Sequence, residues 1–245
     1  NPISVELARL SVWIHTFVPG LPLSLLDRTL IHGDSLTGIG TVEELFDVFE
    51  MDPGEMFATH VRQSLESATE PLKRLARISE ANILEVGKIR EEYNSAVIEA
   101  ESVSDVMDLA VGVRLGEADK PAWIDLDQID EAVGLDQAKS LVREINALHF
   151  PASFPEVFVS DRPGFDCIIG NPPWEKIKVE EHEFWGRHFP GHRSRSQAEQ
   201  RKNVEVYRNS RPELVLALEN EQSIAERQRI IHKSGPFDLG VGDSD

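Results

Sequence analysis

"GFDCIIGNPPWEK", residues 164–176, decides how the rest of the chain is read. The run "FDCIIG" is nearly all apolar, the pattern of a strand buried on both faces of an α/β sheet. Cys167 alternates into that strand and reads as an inert core residue. The strand then stops on Asn171-Pro172-Pro173-Trp174. Proline supplies no backbone donor and fixes its own φ, so two in succession end a strand abruptly. What remains is a stiff corner flanked by an amide and a large aromatic ring.

In open α/β sheets, ligands bind outside the carboxyl ends of the strands. Asn171 stands at such an end. Its side-chain oxygen can accept one hydrogen bond from an exocyclic amine, and the Pro172 carbonyl can accept the second. Two acceptors on one NH₂ draw the nitrogen lone pair out of conjugation and aim it. Trp174 offers a face to a planar ring. Together they suit a flat heterocycle bearing an amino group and extruded from its stack. Asn-Pro-Pro alone is only a turn, and a lone Trp is usually core packing. The apolar run before the prolines and the aromatic after them favour the functional reading.

Upstream, "TLIHGD" (residues 29–34) reads as a short strand with Gly33 and Asp34 at its carboxyl end. Asp34 could also serve to cap the next helix. The opening "NPISVELARLSVWIH" places Asn1 as an N-cap and Pro2 at the first helical position. Ile3, Leu7, Leu10 and Ile14 share one face of that helix. Residues 41–147 differ in character. "EMFATHVRQSLESATEPLKRLARI", "NILEVGKIREEYNSAVIEAESVSDVMDLAVGVRLG" and "LDQAKSLVREINALH" are helical runs, with Pro71 expected to kink or interrupt the first.

Of the 245 residues 40% are hydrophobic and 28% charged, as in a soluble globular protein. No apolar run approaches the ~20 residues that span a bilayer, so no membrane is expected. The lone Cys167 excludes an internal disulfide and points to a reducing, cytoplasmic compartment. The net charge of −18 argues against a simple nucleic-acid binder. That acidity is local: residues 41–150 hold 24 acids and 10 bases, whereas residues 175–233 hold 10 acids and 12 bases. Within the latter, "GHRSRSQAEQRK" carries Arg193, Arg195, Arg201 and Lys202, either a solvated helix start or a phosphate-contacting stretch. His182, His188, His192 and Glu181 fit no common ligand spacing, so no metal is expected.

"FDCIIGNPPW" closely resembles the catalytic motif of S-adenosylmethionine-dependent amino-methyltransferases that act on adenine N6. "NPISVELARLSVWIHTF", "PLSLLDRTLIHGDSL", "FPEVF" and "HKSGPFDLGVGD" resemble one branch, the Eco57I-type restriction–modification methylases, with similar enzymes in phage defence. The resemblance covers roughly residues 1–40 and 148–245. It implies that Asn171 and Pro172 hold the target amine, that Trp174 stacks on the base, and that Asp34 lies beside the adenine of S-adenosylmethionine. It also implies that the glycine-rich cofactor loop and the ribose-holding acid fall before Asn1, and that the DNA-reading domain follows Asp245.

The resulting expectation is an α/β protein: a partial Rossmann-like methyltransferase core in residues 1–40 and 148–245, interrupted by an acidic helical insertion at 41–147. The expected function is adenine-N6 methylation of double-stranded DNA by the full-length enzyme, with this stretch inactive alone. Two alternatives stand beside it. The same clamp serves RNA and protein-glutamine methylation, and the acidic helices could instead form a non-catalytic interaction module.

Overall fold

In the computed structural model, residues 2–16, 29–52, 56–76, 83–121, 126–170 and 177–235 are described. The described residues are 69% helical and contain no strand or sheet. The expected α/β, Rossmann-like core is therefore not what these residues form. The physical reason lies in pairing. A strand exists only where another strand completes its ladder, and no described segment pairs with 165–170. Ile168 and Ile169 are 82% and 94% exposed, and Cys167 is exposed too, contrary to its expected core position. "TLIHGD" likewise ends in a single parallel bridge, Asp34 to Ala147, rather than a strand.

The chain packs as two units, 1–169 and 170–245. The first unit contains α1 (Pro2–Thr16), α2 (Val42–Phe49), α3 (Met56–Ala76) and α4 (Ile83–Arg114). A 3-10 turn (Leu126–Glu131), α5 (Leu135–Ile145), α6 (Phe150–Ser153) and α7 (Pro155–Phe158) complete it. Helix α2 begins where Thr41 Oγ1 accepts the Glu44 N–H at 3.1 Å. Its Val42, Leu45, Phe46 and Phe49 fall at helical spacing and are all buried. Pro71 lies inside α3 without ending it; one i→i−4 hydrogen bond is lost there.

The carboxyl half of α4 is the axis of this unit. Val103, Val106, Met107, Leu109, Ala110 and Val111 are all fully buried, so the helix is apolar nearly all round, as a surrounded helix must be. Helices α2, α3 and α5 and the 3-10 turn pack around it. Burying each such Val, Leu or Phe side chain contributes roughly 1.5–3 kcal/mol. Helix α1 is different: Ile3, Leu7 and Ile14 on its apolar face are 68%, 59% and 61% exposed.

The second unit is α8 (Glu181–His188), α9 (Gln197–Ser210) and α10 (Pro212–Ser234). Its core is Phe184, Trp185 and Leu218, with Phe189, Tyr207 and Leu214 against it. The Phe189 and Tyr207 rings stack at 3.7 Å and 3°. Trp185 Nε1–H donates to Glu181 Oε1 at 3.0 Å, and Arg208 reaches the same oxygen at 2.7 Å.

Candidate functional site

Residues 34–40 and 146–150 lie backbone to backbone, and this junction is where one of the sequence-predicted site residues sits. The Asp34 amide donates to the Asn146 carbonyl at 2.6 Å, and the Leu148 amide to the Asp34 carbonyl at 3.1 Å. Further on, the Phe150 amide donates to the Ile39 carbonyl at 3.0 Å. Gly38 permits the approach: a Cβ there would stand 2.1 Å from the Leu148 carbonyl oxygen. Only a residue without a side chain fits that gap.

Two side chains complete the junction. The Ile39 N–H donates to His149 Nδ1 at 3.0 Å. With Nδ1 accepting, Nε2 must carry the proton of a neutral ring, and it faces Asp108 Oδ1 of α4 at 2.8 Å. The next amide, Gly40, donates to Glu44 Oε2 at 2.6 Å, while Glu44 Oε1 takes Arg114 Nη2 at 2.5 Å. Both members of that ion pair are buried, at 7% and 6% exposure. Consecutive amides at 39 and 40 are thus satisfied by side chains that α4 holds in place. Nearby Asp105 has its pKa raised by burial, against the lowering effect of Lys139 at 2.8 Å.

The Asp34 carboxylate accepts the Leu36 N–H at 3.0 Å, an Asx turn that fixes its direction. It does not cap α2; Thr41 does that. Asn171, Pro172, Pro173 and Trp174 lie outside the described residues. The chain that leads to them is anchored at Phe165. That ring meets Phe150, Phe154 and Phe158 edge-on, with centroids 5.9, 5.5 and 5.5 Å away. Gly164, at φ +115°, turns the chain back so that its N–H reaches the Val157 carbonyl at 3.1 Å.

Asp34 and the Phe165 anchor both lie within the first unit. Arg193, Arg195, Arg201 and Lys202 are in the second unit and are exposed. The α9 amino terminus among them is closed by a capping box, in which Ser196 and Glu199 satisfy each other's amides. Among the described residues no group of three or more His, Cys, Asp or Glu side chains could hold a metal ion. No described helix is long and apolar enough to cross a membrane.

The family model for Eco57I restriction-modification methylases matches residues 1–224. The chain belongs to that family. No curated protein and no solved structure matches it. As an Eco57I-family methylase it is a restriction-modification methyltransferase, and such methylases act on DNA and generally use S-adenosylmethionine. In this Eco57I-family chain the matched span includes Asp34, the His149 junction, the Phe165 anchor and the Asn171–Trp174 corner. The Asp34 carboxylate is half-buried and is oriented by its Asx turn.

Reading the sequence alone misses His149, Asp108, Gly38 and Phe165. The available signals are slight. The sequence "ALHF" after α5 places one imidazole in an apolar setting, and Asp105 and Asp108 share a face of a helix otherwise apolar there.

Proposed function

We propose that this Eco57I-family methylase transfers a methyl group to the N6 amine of adenine in double-stranded DNA, with S-adenosylmethionine as donor. The observation that carries the reading is the Asn171-Pro172-Pro173-Trp174 corner inside the matched span. Asn171 Oδ1 and the Pro172 carbonyl accept the two amine protons, and Pro173 stiffens the corner between them and Trp174. Trp174 stacks on the extruded base and holds it outside the duplex. Asp34 accepts from the cofactor's adenine.

S-adenosylmethionine, when bound, supplies a methyl carbon already made electrophilic by its sulfonium. The chain's task is therefore positional. Asn171 and Pro172 aim the amine lone pair, and Trp174 keeps the ring plane fixed, so that the N–C bond forms as the C–S bond breaks. The extra proton on the nitrogen then leaves to water. Holding reactants in such a near-attack arrangement is worth up to ~7–11 kcal/mol of barrier. The exposed Arg193, Arg195, Arg201 and Lys202 contact phosphates and add a salt-dependent affinity.

The test is methyl transfer by the full-length enzyme from radiolabelled cofactor to duplex DNA, RNA and protein, followed by hydrolysis of the product. Label recovered as N6-methyladenine from duplex DNA is the expected result. Label confined to RNA, or to glutamine, would reassign the substrate while keeping the clamp. No label anywhere would favour an interaction role for the acidic helices.

A further inference from the structure

We propose that His192 is an acid-released pin in the second unit: while neutral it seats the turn formed by residues 189–196, and on protonation it leaves its seat and frees that turn. The turn is built around the ring. Gly191, at φ +82°, lets the chain reverse after α8. The His192 N–H donates to the Phe189 carbonyl at 3.1 Å, and the Arg195 N–H to the His192 carbonyl at 3.3 Å. Gln200 Nε2 of α9 donates to the Arg195 carbonyl at 2.9 Å. Between 190 and 199 every residue but His192 is exposed. Its ring, 1% exposed, lies against Tyr207 with centroids 5.7 Å apart and 59° between the planes. One side chain therefore supplies the burial that holds this turn down. A segment with so few buried contacts is among the first to open.

The seat is unsuited to a charged ring. Neither ring nitrogen has a hydrogen-bond partner. A neutral imidazole leaves one N–H unmet there, and protonation adds a second together with a full charge. The charged groups that act on the ring are Arg195 of the turn and His182 of α8, and both oppose a further positive charge. The carboxylates of the adjoining elements are engaged elsewhere: Glu180 with Lys178 and His182, Glu181 with Trp185 and Arg208, Glu183 with Arg193. Glu199 of α9 is held by Ser196, and Glu221 of α10 by Arg187. Burial first, and then the two cations, hold the pKa of the seated ring below the ordinary histidine value. A released ring meets water and regains about 6.5. Seating is therefore fully favoured above that value, and each pH unit below it raises the released population about tenfold. The Arg193 side chain lies across Gly186 of α8, where a Cβ would stand 2.7 Å from its Nε. Release of the turn lifts Arg193 off α8.

The experiment is hydrogen–deuterium exchange of the full-length enzyme at about pH 7.5 and pH 5.5, with rates corrected for the pH dependence of intrinsic amide exchange. Peptides spanning 189–196 and the α10 core at 214–218 are followed together. In the wild type, protection of 189–196 is expected to fall about tenfold at the lower pH. Protection of 214–218 is expected to stay within about twofold, since only the turn opens. His192→Phe keeps a buried ring that cannot titrate and is expected to hold the same protection of 189–196 at both pH values. Should His192→Phe fold poorly, His192→Gln, neutral at both values, carries the comparison. Equal wild-type protection of 189–196 at the two pH values overturns the proposal. A parallel fall in both peptides overturns it too, because the whole unit then unfolds. A fall of the same size in the His192 variant assigns the opening to another group and likewise overturns it.

Discussion

His149 Nδ1 accepts the amide of Ile39, a residue 110 positions away in sequence, at 3.0 Å. That single bond joins two stretches that local sequence patterns treat as unrelated. Asp34 stands at the beginning of one stretch and Phe150, whose ring meets Phe165, at the end of the other, and several consequences can be measured.

The closeness of the two stretches depends on Gly38. In Gly38→Ala the new Cβ meets backbone rather than a flexible side chain, with the Leu148 carbonyl carbon at 2.4 Å and its oxygen at 2.1 Å. The segments must separate, which stretches the His149–Ile39 bond as well. Overpacking of this kind costs ~1–3 kcal/mol. Urea denaturation should show that loss. An unchanged midpoint would mean that the two backbones do not approach so closely.

The buried Glu44–Arg114 pair is a second tie between α4 and the same loop. Arg114→Met leaves a buried carboxylate with only the Gly40 amide as its partner. Removing one member of a buried pair typically costs about 3–5 kcal/mol. Glu44→Gln combined with Arg114→Met removes both charges and is expected to regain part of that loss. Equal stability of the single and double variants would show that the charge is not what matters here.

Much of the helical part is legible in the sequence, and the reason is local. Leu45, Phe46 and Phe49, or Leu135, Ala138, Leu141, Val142 and Ile145, repeat at helical spacing, and their burial follows from the repeat. The misreading of "FDCIIG" has a physical cause. An unbroken apolar run signals a buried strand only if other strands cover it, and its own residues carry no information about that cover. Among the described residues Ile168 and Ile169 are bare. The Asp108–His149 pair is illegible for the opposite reason: its members are 41 positions apart and neither lies in a motif.

In the second unit, His192 is 1% exposed and neither ring nitrogen has a hydrogen-bond partner. Its ring lies 5.7 Å from Tyr207. Burial first, and then the positive charges of Arg195 and His182, lower its pKa below the ordinary histidine value. The unfolded chain therefore binds this proton more readily than the folded one, and stability is lost as pH falls below about 6.5. His192→Phe removes the effect. Thermal melts between pH 8 and pH 5 should show a steeper acid loss for the wild type than for the variant. Parallel curves would mean that His192 is accessible to water.

The basic residues around α9 can be tested through salt. If Arg201 and Lys202 meet phosphates, each substitution by Ala should reduce the slope of log affinity against log salt by roughly 0.9 for duplex DNA. Fluorescence anisotropy over a salt series measures it. An unchanged slope assigns these exposed side chains to a solvated helix face.

On the proposed reading, the corner at 171–174 separates transfer from base capture. If Asn171 is one of two acceptors for the target amine, Asn171→Ala leaves an N–H of that amine unpaired, a cost of about 1–3 kcal/mol. Because that bond also shapes the transition state, the loss should appear in the transfer rate, by ~100-fold or more, as when one preorganised group is lost elsewhere. Trp174→Ala should behave differently. Stacking on a base is worth ~1–3 kcal/mol and helps hold the base outside the duplex. Its loss should weaken DNA binding and base extrusion, with a smaller effect on transfer once the base is docked. Trp174→Phe keeps a flat ring and should recover much of this. Cofactor affinity should barely change in any of the three. Single-turnover transfer, together with 2-aminopurine fluorescence at the target position, distinguishes these outcomes. Near-normal transfer by Asn171→Ala would make the corner structural, and the methyl-acceptor clamp would have to be sought elsewhere in the chain.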